Sequence, residues 1–538
     1  MASTPATSLS LISSGLADTR LQPPKGNPDI QQFVKVVHKT TRWAANWERI
    51  EFDGSPQFGQ RVSCTFPRKG ELITGLNIVV TMPDIYTSQI SAIRASGGTD
   101  FQSKGAFLGP TYGWTNSLGH ALIQQIELEI GGAIVDTLDS RQLEILDELY
   151  ETVESANAKN AMILRLANGF KSNSWLKPEQ TVVYVPIPFW FSKPGVYSHA
   201  LPIEALKSDI VRIHVTFRPI TQLYYTDARV HTGTVGYREG VDSPGGMWNL
   251  LNGRFWRSNR AATGNVYTMN EAMVQFDRNG KMIPIKGELV PNVQMPAQLR
   301  MGDAYALVEY ISLEEYEAIR IRSTELTYHV EQHFAVPLEQ TLGTKDIQIP
   351  MPYTNPTKEI LWVFQRPEAE TFNAWFLFTR DLGPVSTVAT PINPCAIPWW
   401  PDASIIPLSV NSWQIVPAFQ TSYSEPMESA ILLYNSYDRF QHEGGSFFRT
   451  IVPSFYYTKS AVHNRYIYAY AFGQKQMPQE YKPTGAANWD KIPRKDFYIS
   501  LKKGRGGVSP PNYNVYAYYT IWNVFKVYGG RGGMLFSN

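Results

Sequence analysis

A chain of 538 residues exceeds what one hydrophobic core usually holds, and two large β-rich domains of up to about 250 residues each fit its length. Its 49 Lys plus Arg against 47 Asp plus Glu leave a formal charge of +2 with no long run of one sign, so the electrostatic footprint of a nucleic-acid-binding protein is missing. Charged residues are 18%, below the usual figure of about 25%, and this neutral surface suits a protein with large permanent contacts. The N-terminus has no basic stretch ahead of a long apolar core, and no window approaches the roughly 18 apolar residues of a membrane span, so a soluble protein made in a reducing compartment is expected. Cys64 and Cys395 lie far apart, in neither a metal spacing nor a disulfide framework, and are expected to be buried thiols.

Residues 1–28, rich in Ser, Thr, Ala and Pro, have no sustained period and read as an extended or disordered arm. Strand-like pieces follow at Gln32–His38, Arg61–Phe66, Leu76–Met82, Ile123–Ile130 and Thr181–Val185, with the spacing of a sandwich. Within the third quarter of that run, Ile126, Leu128 and Ile130 alternate with Glu127 and Glu129, the period of a half-buried strand with its acids toward water. Gly131 and Gly132 supply the positive backbone angles of a two-residue hairpin, and Ala133–Val135 run back beside the first strand. The period then lengthens: Leu143, Leu146 and Tyr150 fall at helical spacing behind a capping Asp139, with Glu144, Asp147, Glu148 and Glu151 expected on the solvated side. Ile210–Phe217 alternates cleanly and points His214 to solvent or a loop.

From 224 to 296 the composition shifts to Gly, Asn, Arg and scattered aromatics and reads as a long loop insertion. Ala304–Ser312 resumes strand alternation, and Leu313–Arg322 suits a short helix of mixed charge. Strand patterns restart at Glu325–Phe334 and continue, largely without helix, to an aromatic-rich strand at Val515–Tyr528 that closes on a glycine turn.

Chemistry-bearing motifs are sparse. There is no phosphate-binding loop, HExxH, paired CxxC or GxSxG elbow. Glu127 and Glu129 are two acids close enough to suggest glycoside chemistry, but residues two apart on one strand are simply neighbours on its wet face. The acids of the 139–151 helix could be imagined around a cation, yet a solvated helix face explains them better. His329 and His333 sit four apart on a strand, two pleats from each other, which gives a zinc site little support. Lys502–Gly507 and Gly529–Gly533 carry one arginine each and read as turns rather than nucleic-acid tracts. No catalytic, cofactor-binding or metal-binding residue is therefore expected.

Several stretches, in order, resemble the major capsid proteins of nucleocytoplasmic large DNA viruses, the group that includes iridovirus, phycodnavirus and mimivirus shells. They are Gly26–Ala44, Phe58–Ile73, Gly119–Gly132, Val185–Phe191 with Ala200–Leu206, Tyr353–Gln365, Tyr434–Phe440, Pro483–Ile492 and the C-terminal YGGRGGMLFSN. The resemblance implies an all-β fold of two tandem eight-stranded antiparallel jelly rolls (a double jelly roll) with a few short helices and long loops. It places an arm at 1–28, a first jelly roll at 29–324 with the insertion at about 224–296, and a second at 325–538. It also implies a structural, non-enzymatic capsid protein without cofactor, found in the virion and assembled in the host cytoplasm. The implied partners are two further copies in a homotrimeric, pseudo-hexameric capsomer, neighbouring capsomers tiling an icosahedral shell, and minor capsid and penton proteins. Host contact would run through outer loops, the insertion among them, and no direct nucleic-acid binding is implied. Two other readings use the same architecture: a β-sandwich glycan-binding attachment protein, with Trp248 and Trp256 stacking on sugar rings, and a glycoside-active enzyme.

Overall fold

The computed structural model describes residues 42–85, 112–165, 181–193, 198–226, 299–367, 370, 373, 375–380, 425–461, 466–473, 485–503 and 509–536, with short strand segments between 256 and 284 and between 405 and 415. Among the described residues, eight strands build the first sandwich, beside a separate pair at Tyr112–Trp114 and Tyr224–Thr226: β1 (Trp43–Glu51), β2 (Arg61–Thr65), β3 (Leu72–Met82), β4 (Ile123–Ile130), β5 (Ala133–Asp139), β6 (Thr181–Pro186), β7 (Val211–Phe217) and β8 (Ala304–Leu313). They form two four-stranded antiparallel sheets in the orders β1-β8-β3-β6 and β2-β7-β4-β5. Of the sequence-adjacent strands only β4 and β5 pair; every other connection crosses between sheets, which is jelly-roll topology.

The second half repeats the plan: β9 (Leu326–Ala335), β10 (Asp346–Ile349), β11 (Pro356–Gln365), β12 (Met427–Tyr434), β13 (Tyr437–Gly444), β14 (Ile467–Ala471), β15 (Lys495–Leu501) and β16 (Asn514–Tyr528). The sheet orders are β9-β16-β11-β14 and β10-β15-β12-β13, strand for strand the same as before. Three short strands, at Glu339–Gln340, Ala487–Asn488 and Arg531–Met534, extend the first of these sheets. Among the described residues five α-helices decorate the two sandwiches: α1 (Leu118–Leu122), α2 (Ser140–Tyr150), α3 (Val153–Met162), α4 (Glu315–Ser323) and α5 (Val452–Tyr456), the last entered through a π-helical turn at Phe447–Ile451.

Period-2 patterning builds each core. Along β7, Val211, Ile213, Val215 and Phe217 are all buried and pack with Ile78 and Val80 of the facing sheet. The second core is aromatic: Trp362 stacks on Tyr468 at 5.8 Å and meets Phe497 and Phe448 edge-on at 5.1 and 5.3 Å. The first core does not stop at its own sandwich but continues onto Leu361, Val363, Ile467 and Ala469, the opposite face of the second sandwich's β11 and β14.

The hairpin between β4 and β5 forms as expected, with Ile130 opposite Ala133 and φ of 60° and 86° at Gly131 and Gly132. Asp139 caps α2, accepting from the Gln142 amide at 2.7 Å. The helix face is a correction: Glu144, Asp147 and Glu148 are buried rather than solvated, because cations from other elements come down on them. His214 is a second correction, being 9% exposed, with Nδ1 2.8 Å from Ser63 Oγ and Nε2 2.6 Å from Glu129. Cys64 is buried, which pushes its thiol up to about 12. The 224–296 insertion contains β structure of its own: Trp256–Arg257, Val266–Tyr267, Met273–Phe276 and Met282–Pro284 form one antiparallel sheet. The arm at 1–28, the strand expected at Gln32–His38, Cys395, Trp248 and the direction in which the insertion emerges lie outside the described residues. Among the described residues no helix is long and apolar enough to cross a membrane.

Candidate functional site

The feature that joins the two sandwiches is the seam between them, and α2 is its centre. Nine of the eleven α2 residues are buried, leaving only Arg141 and Tyr150 partly exposed, so this helix is covered on both sides. On the side of the first jelly roll, Arg165 meets Glu144 at 2.6 Å and also grips Asp147. Lys159 reaches Asp147 at 2.6 Å and Glu151 at 2.8 Å, and His120 Nδ1 lies 2.5 Å from Glu144. Burial alone would raise the Asp147 carboxyl, but Arg165 and Lys159 hold it below the usual carboxylate range.

On the other side, α2 and its flanks satisfy polar groups of the second jelly roll. Arg141 donates to Gln365 at 2.8 Å and to Glu370 at 2.6 Å, and stacks over Tyr516 at 3.9 Å. Glu359, fully buried on β11, accepts the hydroxyls of Tyr150 at 2.7 Å, Tyr457 at 2.6 Å and Thr520 at 2.8 Å. Tyr518 donates to Asp139 at 2.8 Å. Lys193 of the first half and Lys358 of the second converge on Glu331; burial would raise that carboxyl, and the two ammonium groups overcome it and hold it low. The C-terminal hairpin turns at Gly529 and Gly530, whereas Arg531–Gly533, read as part of the same turn, belong to the short strand that runs back along β16, and the Gly532 amide donates to Asp209 at 2.8 Å.

A cavity of about 340 Å³ opens in the seam, lined by Leu143, Leu146 and Tyr150 of α2, Pro186, Glu331 and Glu359. Its carboxylates are tied up in hydrogen bonds and ion pairs, and one held low by two lysines is a poor proton acceptor at neutral pH. This arrangement locks two domains together. The acids singled out in the sequence are placed apart from it: Glu127 pairs with Arg61 at 2.5 Å and Glu129 with His214 on the outer face of the β2-β7-β4-β5 sheet. His333 lies buried in the seam while His329 is exposed, and among the described residues no three His, Cys, Asp or Glu stand close enough to hold a metal. Asp136, Arg141, Tyr150, Glu331 and Glu359 were not foreseen as a group. The available signal was Lys358-Glu359 interrupting the otherwise apolar β11, a polar pair where a buried strand should have none.

Two jelly rolls of identical topology, fused along a packed seam, define a double jelly-roll protein of the kind that builds viral shells. Residues 31–249 match the family model described as the major capsid protein N-terminus, and residues 317–533 match that of the large eukaryotic DNA virus major capsid protein. The chain belongs to this major capsid protein family. It is 21% identical to probable capsid protein 4 of Acanthamoeba polyphaga mimivirus, over 98% of this chain and 99% of that one. It is likewise 21% identical to the major capsid protein of Chrysochromulina ericina virus, with the same 98% and 99% coverage. Among solved structures, a chain of the PBCV-1 virus capsid superposes with a TM-score of 0.61 at 19% identity, covering 94% of this chain and all (100%) of that one. The Faustovirus major capsid protein superposes with a TM-score of 0.58 at 10% identity, covering 97% of each.

Proposed function

We propose that this protein is the structural subunit of an icosahedral virus shell, without a catalytic role, and that three copies form a capsomer of pseudo-sixfold outline. The chain then divides into an arm (1–28), a first jelly roll (29–324) and a second (325–538), with no catalytic, cofactor or metal residue in any of them. The observation that carries this reading is the seam. A chain that buries ion pairs and an apolar core between two identical sandwiches presents them as one rigid block, and three such blocks supply six similar units to a ring. Neighbouring capsomers, with minor and penton proteins beneath or between them, complete the shell in the virion, assembled in the host cytoplasm. Sedimentation of the purified chain tests it. A stable trimer at micromolar concentration is expected, and a monomer at every concentration refutes the reading.

A further inference from the structure

Ser63 on β2, His214 on β7 and Glu129 on β4 stand in one row on the outer face of the β2-β7-β4-β5 sheet. Register places Ser63 directly opposite His214, Glu127 opposite it on the other neighbouring strand, and Glu129 one diagonal step away. Ser63 Oγ is 2.8 Å from His214 Nδ1, and His214 Nε2 is 2.6 Å from the Glu129 carboxylate. The directly opposed acid is engaged elsewhere, since Glu127 pairs with Arg61 at 2.5 Å and accepts from Gln125 at 3.1 Å. The diagonal acid therefore takes the ring. The three residues come from strands that only the jelly-roll topology makes neighbours, so no motif in the sequence announces them.

An ionised carboxylate only accepts hydrogen bonds, so the Nε2 facing Glu129 carries a proton. In the neutral imidazole Nδ1 is then a lone pair, and the Ser63 hydroxyl donates to it. Glu129 thus fixes the direction of both bonds. A hydroxyl, a base and an acid that orients the base, each within about 2.6–3.2 Å of the next, make the arrangement that activates a serine as a nucleophile. Burial suits the roles. His214 is largely buried and Glu129 partly so, which protects their bond from water, while Ser63 is only partly buried and can be reached. Arg61 and Thr65 flank Ser63 on the same face of β2, and Arg212 reaches Thr65 at 3.3 Å, so guanidinium groups stand on either side of the hydroxyl where negative charge would develop. Cys64, the neighbouring residue, points into the core with its thiol pushed up to about 12, and does not compete.

From this row of hydrogen-bonded side chains we infer that Ser63 is a covalent modification site, which accepts an acyl group from an activated ester or thioester. The bond from Ser63 Oγ to the acyl carbon forms, and the bond from that carbon to the leaving oxygen or sulfur breaks. The hydroxyl proton passes to His214 Nδ1 and from there to the leaving group, while the Glu129 carboxylate holds the imidazolium formed in between. The product is one ester per chain, carried on the outer face of the first sandwich. It is a modification and not turnover, and it is independent of how many copies assemble.

The test treats the full-length chain with p-nitrophenyl acetate near neutral pH, follows nitrophenolate release, and locates the acetyl group by peptide mapping. A burst of one equivalent per chain with the acetyl group on Ser63 is expected. Ser63→Ala is expected to abolish the burst, and His214→Gln to slow it by about a hundredfold or more. Glu129→Gln is expected to slow it about tenfold, whereas Glu127→Gln, at the acid directly opposite the same ring, is expected to leave it within about twofold of the wild type. Far-UV circular dichroism checks that each variant folds, and mapping of the wild type alone decides the matter if one does not. Acetyl groups on surface lysines with none on Ser63, a burst that survives Ser63→Ala or His214→Gln, or equal effects of the two glutamate variants overturn the inference. Release that continues past one equivalent and is lost in Ser63→Ala supports the activated serine and overturns the proposal that the protein has no catalytic role.

Discussion

Asp136 on β5 and His333 on β9 meet in the seam, with Oδ2 3.0 Å from Nδ1, while Oδ1 accepts the backbone amide of His333 at 2.9 Å. Both strands are edges of their sheets, and Gln332 alongside donates to the Val135 carbonyl at 2.6 Å. Two edges that would otherwise invite foreign strands are thus closed on one another.

Removing that carboxylate strands a buried imidazole and a buried amide. Asp136→Ala is expected to lower stability by about 3 kcal/mol, and Asp136→Asn by less because an acceptor remains. Urea unfolding of the purified chain measures both; equal and negligible effects would show that the pair does not hold the seam.

Glu331 gives the seam an acid limit. Its folded carboxyl lies below the ordinary value, so the unfolded chain binds more protons, and the stabilisation is complete above the unfolded value of about 4.3. As pH falls through that value toward the lower folded one, the contribution is lost. Calorimetry from pH 7 down to pH 3 is expected to show a flat unfolding midpoint near neutrality and a fall in acid. Glu331→Gln, which leaves Lys193 and Lys358 facing a neutral amide, is expected to be destabilised by about 3 kcal/mol at pH 7 and to lose part of the acid slope. Parallel curves for the two proteins would exclude this carboxyl as the source.

The three hydroxyls on Glu359 act as a unit. Tyr150→Phe and Tyr457→Phe are each expected to cost about 1–2 kcal/mol, and the double variant is expected to depart from the sum by more than about 0.5 kcal/mol, since both bonds end on the same carboxylate oxygen. A double-mutant cycle in urea that closes additively would count against a shared network.

At the hairpin, Gly131→Ala places a Cβ 2.7 Å from the Asp209 carboxyl carbon at a φ of +60°, and that carboxylate also holds the Gly532 amide. A loss of about 2 kcal/mol is expected. Gly132→Ala, with a φ of +86° and nothing within 4 Å, is expected to cost about 1 kcal/mol from the backbone alone. Thermal unfolding of the two variants side by side separates steric from conformational cost.

Much of the fold was legible because its signals are local. Alternation at Ile126–Ile130, glycines at 131 and 132, and a capping Asp139 depend on covalent geometry and neighbouring backbone groups, and each forms where it was read. β1 was not legible: most of its side chains are exposed, so its pattern carries little burial signal, and only pairing with β8 reveals it. The acidic face of α2 shows the limit most clearly. Four carboxylates on a short helix look solvated until Arg165, Lys159 and His120 arrive on one side and a second sandwich on the other. Whether a charge is wet or buried depends on partners distant in sequence, because only their field offsets its lost hydration. The sequence alone therefore determined the strands and turns whose signals are local, and the family, whereas the tertiary structure decided where β1 pairs and which charges became the seam.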